Sequence, residues 1–379
     1  MGVPLIQQYR VAKYIIQQKL KRTPRYPLVL MLEPLFRCNL ACAGCGKIDY
    51  PDEILDKRLS FEECMHAIDE CGAPIVSIAG GEPLIHKDMA RIVRGFIAKK
   101  KFVYLCTNAL LLERKMDEYA PSPYLTFSIH LDGNQHRHDT SVCRDGVYEK
   151  CIEVITEARH RGFRVTVNCT LFQGENAPEV AEFMDTMMAL GVEGVTLAPG
   201  YSYERAPRQD VFLKKQGAKQ LFRDIFNLGR GRKWRFNQSS LYLNFLAGNE
   251  TYHCTPWGNP TRNVFGWQKP CYLLVGEGYA TSFRALLEET EWHNYGTGRN
   301  PKCANCMVHS GFEATAVNDT FRNPLKALRV ALFGPKTSGP MAPEPPTTYE
   351  DEKDRPRLKL VIKSEPARSC GSSKQQAAG

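Results

Sequence analysis

The chain has 379 residues, of which 43% are hydrophobic, so it can bury the core of one large domain or of a domain with an appendage. It contains no apolar run of about 18 residues, which excludes a membrane-spanning helix, and its first residues lack the pattern of a signal peptide. The net charge is +9, and much of the excess lies in residues 10–25 and 205–235, so this local basic charge does not indicate nucleic-acid binding.

The fourteen cysteines are numerous for a chain of this length, and they are clustered. With no export signal before them, this pattern favours a reducing compartment and metal-binding thiolates over a framework of disulfides. We therefore expect a cytoplasmic protein.

Residues 3–22 are predicted to form a helix, because apolar side chains recur at helical spacing, at Leu5, Tyr9, Ala12, Ile16 and Leu20. Pro24 and Pro27 end it. Its basic residues allow two interpretations. Either the helix lies in the headgroup region of a membrane, at the inner face of the cytoplasmic membrane, or it covers the fold with its charges in solvent.

Apolar strands then alternate with helices, which predicts βαβ units and a parallel sheet. The predicted strands are Leu28–Phe36, Ile75–Ala79, Phe102–Cys106, Leu125–Ile129, Val165–Cys169 and Val192–Ala198. The predicted helices between them are Phe61–Glu70, Met89–Lys99, Leu111–Glu118, Val147–Arg161 and Val180–Leu190. Six strands are too few for a closed barrel of eight, so the predicted fold is an α/β partial (β/α)6 barrel.

Four regions are expected along the chain. Residues 1–27 form the amphipathic helix, and residues 28–234 form the partial barrel. Periodicity is lost in residues 235–334, where Gly, Asn, Trp and Cys are frequent, and these are expected to form a loop-rich appendage. Residues 335–379 are rich in Pro, Ser, Lys and Glu and are predicted to be a disordered tail.

Three cysteines, Cys38, Cys42 and Cys45, directly follow the first predicted strand. Thiolates at this spacing can bind three irons of a cubane cluster, which is normally held by four cysteines. One iron then stays open to a small molecule. The alternative is a zinc site, although structural zinc usually takes four ligands in CxxC-type pairs.

This CxxxCxxC motif at the end of the first strand of a (β/α)6 barrel resembles the radical S-adenosylmethionine (SAM) superfamily. The resemblance implies one 4Fe-4S cluster and SAM as co-substrate, bound to the open iron through its amino and carboxylate groups. One electron, from a reduced flavodoxin or ferredoxin-type donor, then cleaves SAM to methionine and a 5′-deoxyadenosyl radical. The sequence departs from the family at Gly44, where an aromatic residue usually precedes the third cysteine.

Other polar residues end the later strands, where barrel enzymes place their chemistry. Gly80-Gly81-Glu82-Pro83 follows the second strand and resembles the family's motif for the amino group of SAM. By the same resemblance, Ser128 and Asn168 match positions that contact the carboxylate or ribose of SAM. The alternative is that these two residues only terminate strands. His130 and Asp132 are either an acid–base pair or turn-forming residues.

Cys106 ends the third predicted strand, near the place where the radical would form. A thiol has a weak S–H bond, so Cys106 is a candidate donor of a hydrogen atom to a carbon radical. The alternative is a small buried hydrophobic residue, which is the usual role of free cysteine.

Cys303 and Cys306 form a CxxC pair in the appendage, and Cys254 and Cys271 lie upstream of it. These four cysteines can hold a second iron–sulfur cluster or zinc, or they are unligated thiols. His309 is a further candidate ligand.

Several segments together resemble one subfamily, the hopanoid-biosynthesis adenosyl-hopene transferases (HpnH type). They are residues 7–14, 25–34, 38–47, 128–133 and 303–313. The resemblance implies that the 5′-deoxyadenosyl radical adds to the alkene of diploptene (hopene) and gives adenosylhopane, a carbon–carbon bond-forming transfer. Cys106 would quench the product radical.

Two other functions are considered. The chain is either a radical SAM maturase that modifies a peptide, or a non-enzymatic protein that binds metal and a partner. A maturase of this kind predicts a peptide-recognition domain before the barrel, and residues 1–27 show none. The non-enzymatic alternative leaves Gly80–Pro83 and the polar strand ends unexplained.

Overall fold

The computed structural model describes residues 3–348, and within them nine strands form one sheet. The strands are β1 (Val29–Glu33), β2 (Ile75–Ile78), β3 (Phe102–Thr107), β4 (Leu125–His130), β5 (Arg164–Leu171), β6 (Val195–Pro199), β7 (Thr261–Asn263), β8 (Gly266–Gln268) and β9 (Tyr279–Ala280). Their order is β6-β5-β4-β3-β2-β1-β7-β8-β9. Strands β1 to β6 pair in parallel with their neighbours, which confirms the predicted α/β partial barrel.

Thirteen α-helices are present in the described part of the chain. They are α1 (Leu5–Leu20), α2 (Asp52–Leu55), α3 (Phe61–Cys71), α4 (Met89–Ala98), α5 (Leu112–Lys115), α6 (Gln135–Ser141), α7 (Val147–His160), α8 (Ala177–Ala189), α9 (Lys215–Leu228), α10 (Ser240–Leu246), α11 (Phe283–Glu289), α12 (His309–Arg322) and α13 (Pro324–Phe333). None of the helices in residues 3–348 combines the length and apolar character needed to cross a membrane.

The two ends of helix α3 show how the sequence sets the position at which β2 begins. Helix α3 begins with a capping box, in which the Ser60 side chain accepts from the Glu63 N–H and the Glu63 side chain accepts from the Ser60 N–H. It ends at Gly72, whose φ of 71° is the left-handed conformation that glycine adopts without steric cost. The chain then turns directly into β2.

Apolar side chains from both faces of the sheet form the main core. Those on the strands, such as Leu32, Val76 and Phe127, are fully buried, as are Ile92 and Ile155 on the covering helices. Burial of each such side chain contributes about 1.5–3 kcal/mol. This core holds the carboxyl ends of β1 to β6 together at one edge of the barrel.

The appendage continues the barrel sheet. Strand β7 pairs in parallel with β1, with Met31 opposite Thr261, and β8 and β9 follow as antiparallel strands. Glu70 on α3 also joins the two regions, because its carboxylate accepts from Trp267 Nε1 at 3.0 Å and from the Phe283 N–H at 2.6 Å. The regions on either side of the boundary predicted between residues 234 and 235 therefore share one sheet and pack against each other.

Residues 335–348, which the sequence assigns to a disordered tail, differ from that expectation. The Glu344 carboxylate pairs with Lys219 and, at 3.1 Å, with Lys215 Nζ, while the Thr348 N–H donates to the Gly298 carbonyl at 2.7 Å. Lys215 and Lys219 are largely buried and require a compensating charge, which explains why this acidic segment packs on α9. The rest of the predicted tail, residues 349–379, lies outside the described residues.

Helix α1 covers the amino-terminal end of the barrel. Its Gln7 side chain donates from Nε2 to the Tyr104 hydroxyl at 2.9 Å, inside the barrel, and Arg10 lies over the ring of Tyr124, just before β4. Ile15 is fully buried in a small cluster with Leu28 and Ala314. The helix thus closes the end of the barrel opposite the cysteine motif.

Candidate active site at the carboxyl edge of the barrel

The loop after β1 brings Cys38, Cys42 and Cys45 together as free thiols. Cys45 lies within electrostatic range of both Cys38 and Cys42, and the Leu40 and Lys47 N–H groups donate to the sulfur atoms of Cys38 and Cys45. Backbone N–H groups aimed at sulfur stabilise the negative charge of a thiolate, and such contacts are typical of metal–thiolate sites. The loop thus supplies both the thiols and the N–H groups that stabilise metal-bound thiolates.

Burial raises the pKa of Cys38 to about 12, and it also raises the pKa values of Cys42 and Cys45. At neutral pH these thiols keep their protons unless a metal displaces them. Within residues 3–348, no three His, Cys, Asp or Glu side chains converge closely enough to hold a single metal ion. A cubane cluster binds each thiolate through a different iron atom, so the three thiols need not converge on one point to hold it.

A buried ion pair supports the loop. The Lys47 Nζ atom lies 2.8 Å from Glu33 Oε1 and 3.0 Å from Glu33 Oε2, at the end of β1. Burial alone would lower the pKa of Lys47, but the Glu33 carboxylate raises it above its usual value, so the amine stays charged. The amine also lies over the rings of Phe36, Tyr203 and Tyr272.

The glycine pair of the second predicted motif packs on the backbone before Cys38. A methyl group at Gly80 would lie 2.4 Å from the Leu35 carbonyl oxygen, and one at Gly81 would lie 2.2 Å from the Arg37 carbonyl oxygen. The Gly81 N–H donates to the Leu35 carbonyl, and the Glu82 N–H donates to the Arg37 carbonyl, each at 3.0 Å. Only glycine allows this approach, so the pair holds the cysteine loop in position.

Glu82 lies between the ends of β2 and β3. Its Oε1 atom accepts from the Leu84 N–H at 3.0 Å and from the Thr107 hydroxyl at 2.8 Å, and Oε2 accepts from the Asn108 N–H at 2.9 Å. Burial raises the pKa of Glu82 to about 7, although these three donors act to lower it. The Asn108 side chain in turn lies 3.8 Å from Cys38 Sγ, so Glu82 is linked to the cysteine loop.

The structure brings three predicted residues together inside the barrel. Cys106 on β3 lies opposite Ser128 on β4, and its sulfur is 4.0 Å from Asn168 Nδ2 on β5. Ser77 on β2, which sequence reasoning missed, contributes a hydroxyl 3.4 Å from the Cys106 sulfur. Inward-facing positions on adjacent parallel strands form layers, and Ser77 belongs to the same layer as the predicted residues.

His130 and Asp132 form a pair at the end of β4, with His130 Nε2 2.7 Å from Asp132 Oδ2. Asp132 also accepts from the Thr170 N–H at 2.7 Å and from the Ser141 hydroxyl at 3.0 Å. Burial acts to raise the pKa of Asp132, but His130 outweighs it and keeps the carboxylate ionised. The pair therefore fixes the turn after β4, and it also lies within electrostatic range of Cys42.

The structure explains the glycine that precedes the third cysteine. A methyl group at Gly44 would lie 3.0 Å from the ring of Phe172, which follows β5, and one at Gly200 would lie 2.8 Å from the same ring. Phe172 also packs on Phe212. An aromatic ring therefore does lie beside the third cysteine, but it comes from the end of β5. Sequence reasoning missed it because the contact joins residues that are far apart in the chain.

The four cysteines of the appendage line one cavity, together with Tyr201. Cys254, Cys271, Cys303 and Cys306 are free thiols, and all four affect the titration of Tyr201. Backbone N–H groups donate to three of their sulfur atoms: Leu273 to Cys271, Gly296 to Cys303 and Val308 to Cys306. This arrangement repeats the N–H to sulfur contacts of the loop after β1.

His309 lies close to these cysteines in sequence but does not line their cavity. Its ring packs edge-on against Tyr242 at 5.3 Å between centroids, and its Nε2 atom lies 3.6 Å from Glu313. Its position at the start of α12 places its ring against that pair of partners, and the role of His309 as a ligand stays a prediction.

Two family profiles match the chain. The profile described as "Radical SAM superfamily" matches residues 32–187, which include the end of β1, the cysteine loop and strands β2 to β5. The chain carries a radical SAM domain. A profile described as "Domain of unknown function (DUF3463)" matches residues 195–330, which include β6 and the cysteines of the appendage. The radical SAM domain and the second domain thus cover most of residues 32–330.

Relatives of this chain include GTP 3′,8-cyclases. The protein of that name from Listeria welshimeri is 31% identical over 155 residues, which are 39% of this chain and 46% of the relative. The one from Clostridium botulinum is 23% identical over 274 residues, 67% of this chain and 85% of the relative. The chain thus spans about half the length of the Listeria protein.

Solved structures share the fold over most of this chain. Streptococcus suis SuiB bound to its precursor peptide SuiA has a TM-score of 0.60 and 15% identity, over 80% of this chain and 74% of SuiB. At this identity the likeness concerns the fold alone.

These comparisons overturn the predicted hopanoid function. The relatives are named GTP 3′,8-cyclase, the profile over residues 195–330 describes no known function, and the similar structure holds a peptide. The prediction that the radical adds to hopene and gives adenosylhopane is therefore wrong. Among the segments that carried the resemblance, residues 38–47 form the cysteine loop, which constrains the cofactor and not the substrate.

We predict that Gly81→Ala lowers iron binding although it changes no cysteine. The added methyl group would meet the Arg37 carbonyl oxygen and displace the loop that carries Cys38. Iron per chain after anaerobic reconstitution, with the absorbance of the cluster, should fall by at least half. Gly217→Ala in α9 is the matched control, because its methyl group has no neighbour within 4 Å. Wild-type iron content in Gly81→Ala would contradict this role of the glycine.

Proposed function

We propose that this protein is a radical SAM enzyme that removes a hydrogen atom from a peptide substrate. The observation that carries the proposal is the loop of Cys38, Cys42 and Cys45, held at the open end of the barrel above the polar layer around Cys106. With its cluster bound, the loop supplies the reductive cleavage of SAM to methionine and a 5′-deoxyadenosyl radical. Reduced flavodoxin or a ferredoxin is the proposed electron donor.

The residues around the loop have separate proposed roles. Gly80 to Pro83 are proposed to contact the amino group of SAM. The Glu82 carboxylate accepts three hydrogen bonds within the protein, and a carboxylate has about four acceptor positions, so one stays available. Ser128 and Asn168, inside the barrel, are proposed to contact the carboxylate or ribose of SAM. These contacts would orient SAM without any movement of the strands.

The similarity to SuiB in complex with a peptide supports a peptide as the substrate class. The likeness covers 80% of this chain. The maturase alternative predicted a recognition domain before the barrel. Instead, α1 lies at the opposite end, so the peptide is expected to be contacted by the appendage and by the loops after β5 and β6.

We predict that the reduced enzyme forms 5′-deoxyadenosine and transfers deuterium into it from a deuterated peptide digest. The assay is anaerobic, contains dithionite and SAM, and uses mass spectrometry. Parallel samples contain deuterated GTP, because relatives of the chain are named GTP 3′,8-cyclase. Cys38→Ala should abolish SAM cleavage, since it removes a cluster ligand, whereas Cys64→Ala, a buried cysteine of α3, should not.

Three results would contradict the proposal. Deuterium transfer from GTP alone would assign the protein to nucleotide chemistry. A product that carries the adenosyl group would mean addition of the radical and not abstraction of hydrogen. No SAM cleavage by a protein with its cluster fully loaded would favour the non-enzymatic alternative.

We propose a second iron–sulfur cluster on Cys254, Cys271, Cys303 and Cys306. Four thiols line one cavity, which matches the four thiolates that normally hold a cubane cluster. Their N–H to sulfur contacts also match those of the first loop.

We predict about eight irons per chain in the reconstituted wild-type protein, about four for each cubane. Replacing Cys303 and Cys306 by alanine, or the three cysteines of the first loop, should each leave about four. Only the second change should abolish SAM cleavage. About four irons in the wild-type protein, together with bound zinc, would contradict the second cluster.

Cys106 is proposed to return a hydrogen atom to the peptide carbon radical from the face opposite to the one that lost it, so that the net change is inversion at that carbon. The S–H bond breaks, a C–H bond forms, and the electron donor then reduces the thiyl radical while solvent supplies a proton. In D2O the thiol exchanges, so we predict one solvent deuterium in the product of the wild-type enzyme and its loss in Cys106→Ala. Ser77→Ala, a neighbour of the same sulfur, is the control and should keep the label. Equal labelling in all three proteins would contradict the role.

A further inference from the structure

The exposed apolar surface is concentrated on two helices. Ten large hydrophobic side chains are exposed within residues 3–348, and nine of them belong to α1 or α13. They are Leu5, Ile6, Tyr9, Ile16, Leu20, Leu325, Leu328, Leu332 and Phe333. Leu5 is 82% exposed and Leu325 is 81% exposed, so these are not residues at the rim of the core. A concentration of this kind marks an interaction surface.

On α1 the apolar residues form one stripe. Leu5, Tyr9, Ile16 and Leu20 are separated by four, seven and four positions, which places them on one face of a helix. Lys13 lies in the middle of this face and is exposed. The opposite face, with Gln7 and Ile15, is buried against the barrel and the appendage.

Helix α13 lies next to the end of α1. The Lys19 amine of α1 is 5.1 Å from the ring centroid of Phe321 in α12, and α13 begins three residues after Phe321. Ala327 and Val330 of α13 are buried, while Leu328 and Leu332 are exposed. Helix α13 therefore begins close to the residue of α12 that the end of α1 contacts, and it carries exposed apolar side chains of its own.

A basic cleft of about 400 Å³ borders the stripe of α1. It lies between α1 and the segments before β2 and β3. Its cationic lining residues are Arg10, Lys13, Lys99, Lys100 and Lys101, and it has no acidic lining residue. The stripe and the cleft share Tyr9 and Lys13.

Much of this positive charge is available to a ligand. Lys99 pairs with Asp69 at 2.8 Å, and the Lys101 amine donates to the Ala73 carbonyl at 2.7 Å. In the described part of the chain, Arg10, Lys13 and Lys100 have no acidic partner within 4.0 Å. The sequence has no Asp or Glu from residue 1 to residue 32, nor from residue 320 to residue 343.

We propose that α1 and α13 dock on the surface of an anionic lipid bilayer and that the basic cleft binds the phosphate of a lipid headgroup. An apolar stripe beside clustered cations and without acids matches the boundary between headgroups and acyl chains. A second copy of the chain fits poorly, because a two-fold contact would place this basic surface against itself. The surface extends the membrane contact predicted for α1 alone.

The proposal does not rest on the proposed function, since α1 covers the end of the barrel opposite the cysteine loop. Vesicle flotation tests it with the full-length protein, which has both helices. One set of vesicles contains phosphatidylcholine with 30% phosphatidylglycerol, and the other contains phosphatidylcholine alone. We expect binding to the anionic vesicles at 0.1 M salt and little binding to the neutral ones.

The charge variant replaces Arg10, Lys13 and Lys100 by glutamine. Each cation near an anionic surface contributes about fivefold to partitioning, so the variant should bind about 100-fold more weakly. Its matched control removes three exposed cations elsewhere, Lys57, Arg58 and Lys87, and should bind like the wild type.

The apolar variants replace Ile16 and Leu20, or Leu328 and Leu332, by glutamine, and each pair should lower binding at least tenfold. Leu228→Gln is the control, because Leu228 is the exposed apolar side chain that lies outside α1 and α13. Circular dichroism and SAM cleavage without lipid should match the wild type in every variant, which separates this test from that of the enzyme.

Three results would overturn the proposal. They are no binding of the wild-type protein to anionic vesicles, equal binding of the charge variant and its control, and equal binding of the apolar variants and Leu228→Gln. A dimer that dissociates in the apolar variants, with no vesicle binding, would assign the surface to a second copy instead.

Discussion

A buried ion pair between Lys47 and Glu33 joins the parts of this molecule on which the candidate site depends. Glu33 ends β1, Lys47 follows the third cysteine by two residues, and the amine also touches the rings of Tyr203 and Tyr272 beyond the sixth strand. Removing one partner of a buried pair typically costs 3–5 kcal/mol, because the other charge is left without compensation. The cysteine loop therefore cannot shift without disturbing both the barrel and the appendage.

Close contacts also join the cysteine loop to the neighbouring strand ends. Gly80 and Gly81 lie against the backbone before Cys38, and Glu82 binds the first residues after β3. On the other side, Tyr201 donates to the Lys302 carbonyl and lines the cavity of the second cysteine group. Cys45, Lys47, Tyr272 and Cys271 thus form a continuous path between the two groups of thiols.

Most of the barrel could be predicted from the sequence because its strands and helices carry local, periodic patterns. The three cysteines and Gly80 to Pro83 could be found because they are adjacent in sequence. Strands β7 to β9 have only two or three residues each, too few to show a period, and they exist because β1 offers them an open edge. Two contacts join residues that are far apart in the chain, Phe172 with Gly44 and Glu344 with Lys219, so no local sequence pattern predicts them. The substrate was predicted wrongly because motifs that bind a shared cofactor are common to enzymes with different substrates.

Helix α1 also covers one end of the barrel, so the candidate site lies at the other, open end. Gln7 donates to the Tyr104 hydroxyl, which donates to Asn237, and Gln7 is almost completely buried, so polar side chains fill that end of the barrel. A carbon radical in the lumen would then encounter only what enters past the cysteine loop and the aromatic rings of Phe172 and Phe212. Substitutions that weaken these contacts of Gln7 would let other hydrogen donors reach the radical. SAM would then be consumed without product.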